Sequence, residues 1–246
     1  MSAPIIWYLI KFFTEERHAD QFMTGDLYLN TLDYFKKAET KNGDGRIDST
    51  EAVAAWLQPD DIRIKLNMPG IGDCELTKKD LAGPVCLSFD HHNFLHLFCM
   101  YAIYTTGYKT IDGKIDCTPG DVEDLQRQVA IDERCLKLGR FAVITPAAPF
   151  LVNLKKALKT QKYKATWRLV EYYDNEVFNG MIPMADIPFM KQKRFSYQRE
   201  FRLCVDAGGK TDSALTINMG DLSHICVKVD PDHLPGLFQI KTEPIP

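Results

Sequence analysis

Lys193–Val205 reads KRFSYQREFRLCV. From Tyr197 to Val205 residue types alternate with a period of two, the spacing of a β-strand whose side chains point to opposite faces. Arg199, Phe201, Leu203 and Val205 fall on one face, and three of these four are apolar. Gln198, Glu200 and Arg202 share the other, so an amide, a carboxylate and a guanidinium stand in a row. The apolar face predicts a strand packed on a core. The polar face fits an exposed sheet surface with Glu200 paired to a basic neighbour, or a place where chemistry is done.

Outward from this strand, the second half of the chain is rich in strands. Phe141–Thr145, Trp167–Tyr173, Ala214–Asn218 and Ile225–Val229 all read as strands. Pro149–Thr160 reads as a helix, with Phe150, Leu151, Leu154 and Leu158 inward, and Val122–Leu138 as one amphipathic helix. In the first half, Ile5–Phe13 is an apolar strand, and Glu15–Thr24 is a helix stopped by Gly25. Leu27–Asn30 is a short strand, and Leu32–Ala38 forms one or two helical turns. Ala52–Leu57 and Ile62–Leu66 are strand-like, and Val85–Phe89 is a buried strand. Helix and strand compete over Phe94–Tyr104. The tail after Pro231 is Pro-rich and expected to be loosely held. There is no repeat, low-complexity tract or linker. One α+β domain over residues 1–246 is expected, with a mixed, mainly antiparallel sheet and peripheral helices, in preference to a doubly wound parallel sheet.

Composition narrows the classes. A hydrophobic content of 45% and a charged content of 26% are those of a globular protein. The apolar run IIWYLI is closed by Lys11, far short of the roughly 18 residues of a membrane span. Cys74, Cys86, Cys99, Cys117, Cys135, Cys204 and Cys226 are odd in number and widely spaced, with no C-x-x-C. That disfavours a disulfide framework or zinc ribbon, and a reducing cytoplasmic setting is expected. The net charge of −3 gives no global attraction to nucleic acid. Locally the balance differs. Lys155, Lys156, Lys159, Lys162, Lys164 and Arg168 occur without an acid between Leu154 and Val170. Lys191–Arg202 holds five basic residues and one acid, Glu200. Such runs are either solvated faces or a local anion-binding patch.

Two clusters suggest a metal. Thr40–Glu51, TKNGDGRIDSTE, places Asn42, Asp44, Gly45, Ile47, Asp48 and Glu51 at EF-hand positions. Thr40 offers a hydroxyl where position one needs a carboxylate, and no second such loop follows. Asp90, His91, His92 and His96 form a histidine group that reads more simply as a polar loop after a strand. No metal is expected. No P-loop, G-x-S-x-G, G-x-G-x-x-G or H-E-x-x-H occurs, which removes the usual support for hydrolase, kinase and Rossmann readings.

The Gln-x-Glu element after an aromatic, basic loop, KQKRFSYQRE, resembles the catalytic loop and strand of ADP-ribosyltransferases. WYLIKFFTEERHADQFMTGDLYLNTL resembles their opening strand, short helix and Gly-x-Leu unit. GPVCLSFDHHNFLHLFCMYAI is similar to the middle segment of the superfamily's nucleic-acid-modifying toxins, which occur in toxin–antitoxin and phage-defence systems. The matches come in order from Trp7 to Val205. One departure stands out: the first strand offers Tyr8 and Lys11 where the family usually supplies a His or Arg.

The resemblance implies a split antiparallel sheet, NAD as co-substrate, a nucleic-acid acceptor (RNA ahead of DNA), and a neutralising antitoxin. Glu200 would be the catalytic carboxylate and Gln198 would orient the acceptor. Tyr8, Lys11, Tyr28, Tyr34 and Ser88 would hold NAD. Lys191, Lys193, Arg194, Phe195 and Tyr197 would meet the acceptor. No membrane role is implied. The alternative is a non-catalytic nucleic-acid- or protein-binding subunit of a defence system.

Overall fold

The structure is a computed structural model and describes residues 3–42, 50–70, 72–111 and 114–241. Its centre is an eight-stranded sheet whose strands all pair antiparallel: β1 Ile5–Phe13, β2 Asp26–Thr31, β3 His96–Thr105, β4 Phe141–Pro146, β5 Lys164–Leu169, β6 Glu200–Asp206, β7 Leu215–Asn218 and β8 Val227–Val229. The order runs β5-β6-β3-β1-β4-β8, and β2 joins β3 to β7 beside it. The α+β class and the mainly antiparallel sheet are thus as expected.

The sheet divides along β3. Tyr101–Thr105 pairs with β1, ending at Ile10↔Tyr101, while His96 and Leu97 pair with β2. β1 and β2 therefore part company beside Cys99. The Lys11 ammonium enters this gap and donates to the Cys99 carbonyl oxygen at 2.7 Å. A backbone acceptor that has lost its ladder partner needs a donor of this kind.

Each face of the sheet has its own core. Leu9, Phe98, Met100, Phe201, Leu203 and Val205 point to one side, under α1 (Glu16–Met23) and under a long helix, Ala147–Gln161, that buries Phe150, Leu154, Ala157 and Leu158 there. Ile10, Tyr101, Ile103 and Ala142 point to the other. With both faces covered, β3 loses strict alternation of polar and apolar residues. That is why its sequence left helix and strand in competition. α1 ends at Gly25, whose φ is +104° and whose absent Cβ would lie 2.0 Å from the Gly220 oxygen. Leu32–Asn42 forms α2.

Several expectations are corrected. The helix expected over Val122–Leu138 is two, α3 (Val122–Val129) and α4 (Glu133–Leu136), with α5 the long helix at Ala147–Gln161. Ala130 is extended at ψ 139°, and the Asp132 carboxylate accepts from Arg134 N at 3.0 Å, starting a new helix instead of continuing the old one. The strand expected at Trp167–Tyr173 divides into β5 and Glu171–Tyr173, which runs parallel to Met190–Gln192. Val85–Leu87 is a strand, yet Cys86, Leu87, Ser88 and Phe89 are exposed, because it is the edge of a small sheet with Ala55–Leu57 and Gly180–Met181. The tail is held as far as Ile240. Leu234 is fully buried, Phe238 packs on Tyr8 at 5.2 Å, and Gln126 bonds both Phe238 O and Ile240 N at 2.9 Å. No helix among the described residues is long and apolar enough to cross a membrane.

Candidate functional site

The strand expected from Tyr197 begins only at Glu200. Lys193–Gln198 is a run of 3₁₀ turn, and Arg199 adopts the left-handed region at φ 40°, ψ 49°. This costs a non-glycine residue about 1 kcal/mol. The Arg199 side chain supports it by donating to Tyr104 O at 2.7 Å and lying over the Tyr104 ring at 3.8 Å. Its carbonyl accepts from Ala102 N at 2.9 Å. The turn keeps Gln198 and Glu200 together by a route different from simple alternation.

Where the sheet divides there is an open cavity of about 170 Å³. Ile10, Lys11 and Phe12 of β1, Phe35 of α2, Leu97, Cys99, Met100 and Tyr101 of β3, Leu138, Glu51, Lys191, Gln198, Glu200 and Arg202 contribute to its wall. Glu200 and Arg202 are 5% and 1% exposed, so the polar face of β6 is interior, not a solvated surface.

Four buried charges interlock there. Arg202 Nε donates to Glu200 Oε1 at 2.6 Å, and its two terminal nitrogens grip Glu51 at 2.8 and 2.9 Å. Lys191 Nζ lies 3.2 Å from Glu200 Oε2, 3.3 Å from Glu51 Oε1 and 2.8 Å from Gln198 Oε1. Glu200 N donates to the Tyr172 hydroxyl at 2.9 Å. Burial alone would push the Glu200 carboxyl up, but the Arg202 guanidinium and then the Lys191 ammonium outweigh it and hold the group well below the usual carboxylate range. Burial works against the Lys191 ammonium too, and Glu200 and Glu51 more than offset it, leaving its pKa raised. The half-buried Cys99 thiol is pushed up to about 12 by burial and by the Glu200 carboxylate, so it stays protonated and is no nucleophile.

No protein-family model, curated protein or solved structure matches this chain. What the site can do therefore rests on its own geometry.

Of the residues singled out from sequence, Glu200, Gln198, Lys11 and Lys191 meet in the cavity. Lys191 was expected on an outer acceptor surface but turns inward, because two buried carboxylates need it. Phe195 is buried as well, with Lys191 at 4.9 Å and Arg194 at 4.7 Å from its ring, so it is not offered to a base. Lys193 is exposed and paired to Asp174 at 3.1 Å, and Arg194 is exposed. Tyr197 is half-buried under the Arg134 guanidinium at 4.1 Å. Tyr8, Tyr28 and Tyr34 are exposed and Ser88 lies just past the small edge strand, none of them in the cavity wall. Phe35, edge-on to Tyr34 at 5.7 Å, is the neighbouring aromatic ring that does line the cavity.

Sequence reasoning missed Glu51 as a partner of Arg202, 151 residues away. It had been read as position twelve of a calcium loop, of which residues 43–49 lie outside the described ones. Both its oxygens are engaged by Arg202 and Lys191. His96 bonds Ser213 O at 2.9 Å, and among the described residues no group of three or more potential ligands is placed to hold a metal.

Proposed function

We propose that the protein is an NAD-dependent mono-ADP-ribosyltransferase that modifies nucleic acid, RNA in preference to DNA. In this reading it is the toxin of a cytoplasmic toxin–antitoxin phage-defence pair, neutralised by a partner antitoxin. The supporting observation is Glu200: a carboxylate kept ionised in the wall of an open cavity, beside an oriented amide. As the bond between nicotinamide and ribose C1′ breaks, nicotinamide leaves with the electron pair and positive charge develops on the ribose. A fixed carboxylate stabilises that charge. The acceptor then bonds to C1′ and loses a proton.

A carboxylate has about four lone-pair sites. Arg202, Lys191 and the Cys99 thiol occupy three sites of Glu200, which leaves room for a ribose hydroxyl. The cavity of about 170 Å³ suits the nicotinamide–ribose end alone, since whole-ligand pockets are larger. Lys11, Lys191 and Arg202 line the cavity together with Glu51 and Glu200, so cations stand where a pyrophosphate would enter. In this reading Lys11 takes the part of the family's His or Arg, with a point charge in place of a fork.

The pairing of Glu200 with two buried cations also favours the second reading, a non-catalytic binding subunit in which the network is structural. Labelled NAD incubated with separate pools of RNA, DNA and protein separates the two. Label in RNA, reduced by about 100-fold or more in Glu200→Gln and strongly in Gln198→Ala, supports the transferase. If folded wild-type protein labels none of the pools and binds no NAD, the subunit reading replaces it.

A further inference from the structure

The long helix α5 turns a different chemistry outward. Its buried side rests on the Leu9 face of the sheet, whereas Glu200 and Arg202 project from the other face. Lys155, Lys156, Lys159 and Lys162 are all exposed, and Lys164 follows at the start of β5. Among the described residues none of the five is in an ion pair, although Lys164 stands opposite Asp206 in the ladder. Lys155 and Lys159 lie at i and i+4, one turn apart and about 6 Å along the helix, and Lys162 is the left-handed residue that closes its C-terminal end.

Complementing the helix dipole accounts for cations in the last turn, at Lys159 and Lys162. It does not account for Lys155 and Lys156 in the middle of the helix. Four ammoniums this close repel one another, and among the described residues no ion pair offsets that, so an external polyanion is the group that would stabilise them. A lipid surface fits poorly. An interfacial helix needs a free apolar face, and here Phe150, Leu154, Ala157 and Leu158 are already buried against the sheet, with Val152 the one exposed large apolar residue of the helix.

We propose that the outer face of α5, through Lys155, Lys156, Lys159 and Lys162, docks the phosphate backbone of a nucleic acid on the side of the sheet away from the cavity. The surface binds without reading sequence, since lysines contact phosphates as point charges. It holds a strand near the protein independently of any reaction at Glu200, and so does not rest on the transferase reading.

Fluorescence anisotropy of labelled single-stranded RNA and DNA oligonucleotides, without NAD, tests the proposal. Four phosphate contacts give a log–log salt slope of about −2.8, or about 50-fold weaker binding between 50 and 200 mM salt. Changing the four lysines to Gln should weaken binding at 50 mM salt more than 100-fold and flatten that slope. The control changes the scattered exposed Lys65, Lys79, Lys109 and Lys137 to Gln and should stay within about threefold. Equal losses in both quadruple variants would overturn the proposal by showing that only net charge matters. So would tighter binding to phosphatidylserine vesicles or polyglutamate than to either oligonucleotide. Preference between RNA and DNA identifies the natural backbone.

Discussion

Arg202 donates from all three of its nitrogens: Nε to Glu200, Nη1 and Nη2 to Glu51, with Nη1 also reaching Pro188 O at 2.6 Å. Removing such a guanidinium and two carboxylates from water costs several kcal/mol per ion, returned only while every partner is present. Glu51 is the test case because no role in chemistry is assigned to it. Glu51→Gln leaves Arg202 and Lys191 facing one carboxylate. Urea unfolding should show a loss of about 3–5 kcal/mol, and the double variant Glu51→Met, Arg202→Met should recover part of it. A loss under about 1 kcal/mol would mean that the charges do not act as a unit. The pairing of Glu200 with Arg202 was legible from the two-residue spacing alone. Glu51 was not, because it is brought in by the tertiary fold from a Gly- and Asp-rich stretch whose local pattern points to calcium.

At the scale of elements, the end of the turn at Tyr197 and Gln198 and the left-handed Arg199 replace what reads as the first three residues of one strand. Alternation could not show this. A residue in the left-handed region shifts the phase of the side chains, and Arg carries no signal of that conformation as Gly or Asn would. Two substitutions separate the backbone strain at Arg199 from its anchoring side chain. Both Arg199→Ala and Arg199→Gly lose the bond to Tyr104 O and the stacking on its ring, but only Ala retains the strain. The Gly variant should therefore be more stable than the Ala variant by about 1 kcal/mol in thermal or urea unfolding. Equal stabilities, or the reverse order, would show that the left-handed conformation is not held in solution. The division of the Val122–Leu138 helix has a different origin. Its apolar spacing continues across the break, so periodicity alone could not reveal it, and the Asp132 cap decides.

Across the whole molecule, the strand-rich pattern was enough to give an antiparallel α+β sheet, since each strand's composition is local information. The divergence of β1 and β2 beside Cys99 was not legible. It depends on register between strands far apart in sequence, and it creates the cavity. The buried charges at that divergence also set how the entire fold responds to pH. Glu200's carboxyl is depressed in the folded state, so its contribution is present in full above the unfolded value, about 4.3, and is lost as pH falls below it. Lys191 is raised, so its contribution is present below the unfolded value, about 10.4, and is lost as pH rises beyond it. Several half-buried aspartates, including Asp124, Asp132 and Asp174, are likewise lowered, chiefly by side-chain hydrogen bonds from Tyr108, Arg134 and Lys193, and they add to the acid limb with the same sign. Stability measured by urea midpoint should thus form a plateau from about pH 5 to about pH 10 and fall on both sides. Carbon-detected NMR of the Glu200 carboxyl should show no titration above about pH 4 while the protein stays folded. A midpoint above 5, or stability that rises on acidification below pH 4, would mean that burial outweighs Arg202 and Lys191. A midpoint above neutrality would go further and leave Glu200 a protonated acid, unable to stabilise positive charge in the cavity.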